Sequence, residues 1–175
     1  MTSARTSDRP HDRRTVTVEK LVRAPASTLF AILRNPATHM EIDCSGMLRG
    51  GPDGPTQLGQ GDRFTMSMSQ LGVAYRSQST VVEYAPDRLI AWETIGLFRG
   101  RKVVGGQWWR YELVPDSEGT LVRHSYLWGR ASLPLLTIWL PGYPRRMRRS
   151  MPRSLDRLAE LAESRPAHED PDERD

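Results

Sequence analysis

The stretch WWRYELVPDSEGTLVRHSYLW, Trp108–Trp128, carries two alternating runs around a turn. The runs flank Pro115-Asp116-Ser117-Glu118-Gly119, a cluster of turn-forming residues. They predict an antiparallel hairpin with strands over Gly106–Val114 and Thr120–Trp128. Successive side chains of a strand point to opposite faces, so Trp109, Tyr111 and Leu113 share one face and Trp108, Arg110, Glu112 and Val114 the other. Arg110 and Glu112 need water, which turns Trp109 and Tyr111 inward. Pairing Leu113 with Thr120 sets Tyr111 opposite Val122 and Trp109 opposite His124. That brings His124, Tyr126 and Trp128 to the same inner face.

Upstream, Val73–Tyr84 and Leu89–Ile95 form a second predicted hairpin across Ala85-Pro86-Asp87-Arg88. Glu93 points outward, so Ile90, Trp92 and Thr94 point in. A four-residue turn then pairs Glu83 with Ile90, Val81 with Trp92 and Ser79 with Thr94. Tyr75, Ser77, Ser79 and Val81 line the interior in this register, and Glu83 joins them at a wet sheet end. In Arg63–Ser69, Phe64, Met66 and Met68 share a face. Gly50–Gly61 is rich in Gly and Pro and reads as a loop. A first strand covers Thr15–Val22. Ser27 or Thr28 caps a short helix carrying Leu29, Phe30, Ile32 and Leu33, which Asn35-Pro36 ends. A second short helix or turn spans Ala37–Ile42.

Downstream the period changes. Met147, Met151, Leu155, Leu158 and Leu161/Ala162 recur at helical spacing, with Pro152 either kinking the helix or marking its start. Two short helices, a run of antiparallel strands and one long final helix make an α+β domain. Its sheet has one apolar face for that helix to cover.

These stretches also carry a family resemblance. The phrases TVTVEKLVRAPASTLFAILRNPATHMEID (15–43), VVEYAPDRLIAWE (81–93), the 108–128 hairpin and RSLDRLAELAE (153–163) resemble the SRPBCC superfamily. Within it they are most similar to the polyketide cyclase/dehydrase and lipid transport group, related to START domains. The resemblance spans roughly residues 14–163. It implies the helix-grip fold, a curved seven-stranded antiparallel sheet wrapped around a long C-terminal helix and a hydrophobic cavity. Residues 1–13 and 164–175, the latter acidic, lack apolar periodicity and are expected to be disordered tails.

Composition narrows the function classes. With 175 residues, 38% hydrophobic and 26% charged, the chain suits one folded domain. Cys44 is the single cysteine, which excludes an internal disulfide and points to a reducing compartment. The polar N-terminus does not read as a secretory signal, and the apolar run Leu133–Leu140 is too short to span a bilayer. A cytoplasmic location is expected.

The inferred interior mixes large apolar rings with small polar groups, as a ligand pocket does and a plain core does not. The expected ligand-binding set is Met66, Met68, Tyr75, Ser77, Ser79, Val81, Trp92, Thr94, Trp109, Tyr111, His124 and Tyr126. The partner it suits is an apolar or amphipathic small molecule such as a lipid, isoprenoid or polyketide, with no cofactor. An enzymatic alternative is a cyclase or dehydratase in which His124 exchanges protons beside Tyr111 or Tyr126. No nucleophile elbow, phosphate loop or dinucleotide fingerprint is present. His39, Glu41 and Asp43 alternate but lack a second cluster to complete a metal site, so they read as surface residues beside a turn. Arg145, Arg146, Arg148, Arg149, Arg153 and Arg157 are opposed only by Asp156. Without an aromatic platform they do not suit nucleic acid. Their default reading is a solvated helix face, and a further alternative is weak contact with an anionic surface or partner.

Overall fold

The structure, a computed structural model, describes residues 14–70 and 72–165, so the tail expected at 1–13, and all but the first two residues of the one expected at 164–175, lie outside the described residues. Strand β1 (Thr15–Val22) leads into helix α1 (Ala26–Leu33), a 3-10 turn (Pro36–Thr38) and the short helix α2 (His39–Ile42). Six strands follow: β2 (Leu48–Asp53), β3 (Arg63–Gln70), β4 (Val73–Ala85), β5 (Leu89–Phe98), β6 (Arg101–Asp116) and β7 (Gly119–Leu127). The long helix α3 (Tyr143–Glu163) closes the chain. The seven strands form one antiparallel sheet in the order β1-β7-β6-β5-β4-β3-β2. Every connection from β2 to β7 joins neighbours. Only β1 is carried to the far edge, where it pairs with β7. This is the helix-grip arrangement.

Amphipathicity drives the closure. Helix α3 turns Met147, Met151, Leu155, Leu158 and Ala162 toward the sheet and keeps its arginines outside. Pro152 lies on the exposed side within the helix, which starts earlier, at Tyr143. The core divides in two. A larger cluster holds Leu155 and Leu158 of α3 with Leu29, Phe30, Ile32 and Leu33 of α1 and Val81, Ile90 and Val122 of the sheet. A smaller one holds Met147 and Met151 with Val16, Met47, Tyr126 and Trp128.

The structure corrects several local expectations. The β6–β7 register is displaced by two residues: Leu113 pairs with Val122, Tyr111 with His124 and Trp109 with Tyr126. An even displacement keeps every side chain on its face, so the inward set survives. In the β4–β5 hairpin Val81 does pair with Trp92 and Ser79 with Thr94, but Glu83 faces Ala91 rather than Ile90. A bulge at Val82 inserts the extra residue. It sends Glu83 to the outer face, where its carboxylate accepts from Arg110 Nε at 2.6 Å. Part of the expected 50–61 loop is β2, an edge strand whose pairing with β3 is broken by two register shifts. Pro25, not Ser27 or Thr28, occupies the N-cap position of α1, and no side chain bonds the helix start there.

Candidate functional site

Strand alternation and helix spacing meet at one place between the two core clusters. There a cavity of about 110 Å³ lies between the sheet and α3. The sheet supplies Phe64, Met66 and Met68 from β3, Ser77 and Ser79 from β4, Trp92 and Thr94 from β5, Trp109 and Tyr111 from β6, and His124 from β7. Helix α3 adds Met147, Ser150, Met151 and Ser154, positions three or four apart on one face. The segment from α2 to β2 adds His39, Ile42, Asp43 and Ser45.

The rings form a continuous wall. His39 stacks on Trp92 with centroids 4.9 Å apart, and Trp92 stacks on Tyr111 at 5.7 Å. Tyr111 stacks almost flat on His124 at 3.9 Å and 12°, the pairing that the β6–β7 register dictates. His124 approaches Trp109 at 5.8 Å, and Trp109 meets Tyr126 at 4.5 Å.

The polar groups in the lining differ in their satisfaction. Ser79 and Thr94 share a hydroxyl–hydroxyl bond of 2.9 Å. Asp43 accepts from the Ser45 amide and hydroxyl at 3.0 and 2.8 Å, which fixes the turn into β2. Ser154 accepts from the Cys44 amide at 3.1 Å and ties α3 to that turn. His124 is the exception. Its ring is buried and neither nitrogen bonds to the protein. Burial with no compensating charge pushes its pKa from 6.5 down to about 3, so the ring is neutral at pH 7. Burial likewise raises the Tyr111 phenol, keeping it protonated.

Nine of the twelve residues expected to contact a ligand lie in the cavity lining. The other three do not. Val81 is buried in the larger core cluster, Tyr126 in the smaller one, and Tyr75 packs half-buried against the latter. Two register positions separate Tyr126 from His124, and its ring falls beyond the cavity behind Trp109. The expectation of a surface role for His39 is also corrected. It is buried, bonded through Nε2 to the Leu33 carbonyl at 2.9 Å, and burial lowers its pKa. Sequence reasoning missed Ser150 and Ser154. Their signal was available: small polar residues on the apolar face of an amphipathic helix mark a place where the helix leaves room.

Comparison with known proteins supports the architecture. A 71-residue segment is 41% identical to the uncharacterised protein Rv0088 of Mycobacterium tuberculosis, covering 41% of this chain and 32% of that protein. The chain thus spans about a third of the curated relatives it matches. Among solved structures, protein MLL2253 from Mesorhizobium loti superposes with a TM-score of 0.61 at 18% identity, over 87% of this chain and 99% of that one. Protein Ms6760 from Mycobacterium smegmatis gives 0.64 at 14% identity, over 91% and 98%. At these identities the likeness is one of fold. The family model described as polyketide cyclase / dehydrase and lipid transport matches residues 13–163, most of the chain, and the chain belongs to that family.

Proposed function

We propose that this protein holds a hydrophobic or amphipathic small molecule, of lipid, isoprenoid or polyketide-like chemistry, in the cavity between sheet and α3. The observation that carries the proposal is His124, a buried neutral ring with no protein partner, set in a lining of large apolar and aromatic side chains and small hydroxyls. A buried polar atom without a partner costs about 1–3 kcal/mol, and a ligand hydroxyl or carbonyl bonded to it removes that cost. Trp92, Trp109, Met66 and Met68 supply area, and His124 with Ser77 orients the polar end. The cavity is smaller than the roughly 300–1,000 Å³ typical of drug-sized ligand pockets, so it suits a compact ring or one end of a chain.

The enzymatic reading has its two residues in contact, since Tyr111 and His124 stack. Their ionisation argues against it. A base with a pKa of about 3 is poorly matched to proton transfer at neutral pH.

Native mass spectrometry of gently purified protein tests the proposal, with a fluorescent fatty-acid analogue as the probe for titration. A co-purified small molecule, and saturable probe binding that His124→Gln weakens by about 1–2 kcal/mol, are the expected results. No adduct and no binding of any apolar probe by the intact protein would overturn it. A roughly 100-fold loss of turnover with binding intact would instead favour catalysis.

A further inference from the structure

The segment between β7 and α3 presents Leu133, Leu135, Leu136, Trp139 and Leu140 to solvent, each more than half exposed. Large apolar side chains concentrated on one surface mark an interaction site. This segment has a defined shape. Its single turn of π-helix (Leu135–Trp139) is pinned by Ile138, which is buried in the smaller core cluster. Thr137 Oγ1 donates to the Ser132 and Leu133 carbonyls at 2.7 and 3.1 Å. Leu133 takes a left-handed backbone, φ 48°, at the start of the turn. One anchor inward and five apolar side chains outward is the reverse of ordinary loop chemistry.

The surrounding charge identifies what covers it. Residues 129–155 contain six arginines and no acidic residue. Leu135 and Trp139 line one groove together with Arg145 and Arg148. Arg145, Arg148 and Arg149 are exposed, and none has a carboxylate partner among the described residues. A second copy meeting this face through a twofold axis would set arginines against arginines. An anionic bilayer matches both features at once. Trp and Leu settle at the boundary between headgroups and acyl chains, while arginines reach the phosphates.

We infer that the 133–140 turn and the arginine-bearing first half of α3 form a docking face for an anionic lipid bilayer. The face lies at the edge of the cavity. Ser45 and Ser150 line both the cavity and the cleft formed by Arg145, Arg146, Arg149 and Arg153. The inference stands independently of what fills the cavity.

Co-sedimentation of the full chain with vesicles tests it, comparing phosphatidylcholine alone with phosphatidylcholine–phosphatidylglycerol mixtures. The wild type should partition onto the anionic vesicles only, and less as salt is raised. The pair Leu135→Ser/Leu136→Ser should lower partitioning by about tenfold, as should Arg145→Ser/Arg148→Ser/Arg149→Ser. All five side chains are exposed, so the melts should match the wild type, and Trp139→Ser is a third variant of the same kind. Absence of wild-type binding at low salt would overturn the inference. Undiminished binding by the leucine variant would do the same, leaving only a charged surface. So would a wild-type dimer in sedimentation equilibrium that the leucine substitutions dissolve, since the partner would then be a second copy.

Discussion

His124 is buried between Tyr111 and Trp109, and its protonation is therefore linked to folding. The unfolded chain takes up this proton near pH 6.5, the folded chain only near 3. Its contribution to stability is thus fully present above 6.5 and is lost as pH falls toward 3, on the order of 4–5 kcal/mol over the whole window. His39, also lowered by burial, acts in the same direction. Carboxylates add their own acid sensitivity, so the informative quantity is the difference between wild type and His124→Gln. That difference in melting temperature should shrink steadily from pH 7 to pH 4. Parallel curves would mean that the ring is solvated. At this scale the sequence was partly legible. Alternation placed His124 on the inner face because Arg123 and Ser125 occupy the other, but nothing local marked His39, whose burial depends on Trp92, a β5 residue far along the chain.

Strand and helix identity, β2 apart, were legible because both periods are strong here; pairing was less so. The 106–114 and 120–128 runs alternate cleanly, yet alternation repeats every two residues and cannot distinguish registers that differ by two. Turn length decides between them, and β6 and β7 extend into the expected five-residue loop as far as Asp116 and Gly119. The Val82 bulge was equally hidden. Its cause is tertiary: Glu83 must reach Arg110, which in turn meets Glu112, across the fully buried Ala91 of β5. Another irregularity lies between β5 and β6, where Gly105 faces Ile95 with φ 124°. A methyl group there would stand 2.6 Å from the Ile95 Cα and the Thr94 carbonyl. Gly105→Ala should therefore cost at least about 1–3 kcal/mol in denaturant melts, whereas an unchanged midpoint would show that the bulge can move. Helix α3 offers a paired comparison. Leu158 is fully buried and Leu161 only partly, so Leu158→Ala should cost about 2–5 kcal/mol and Leu161→Ala clearly less. Equal losses would mean that α3 is rotated on the sheet.

The order of elements, two short helices, a meander of strands and a last long helix, was readable at the level of the whole molecule because one apolar sheet face needs one long cover. The division of the core into two clusters was not, since it depends on where α3 carries Ser150 and Ser154 instead of larger residues. A cavity of this size costs on the order of 2–3 kcal/mol relative to a filled core. Filling the space should therefore raise stability. Ser77 provides a direct test. It lies on β4 in the cavity lining, opposite Met66 and Gly96 in the sheet, and a β-branched replacement suits a strand. Ser77→Val should extend two methyl groups into the space, raise stability by about 0.5–2 kcal/mol, and weaken a fluorescent fatty-acid analogue by about tenfold. Stability and binding move in opposite directions only if the same volume serves both. A loss of stability, of the size overpacking produces, would mean that the space is closed to the side chain at that position. A gain in stability with binding unchanged would put the probe elsewhere on the protein and remove the cavity from the binding site.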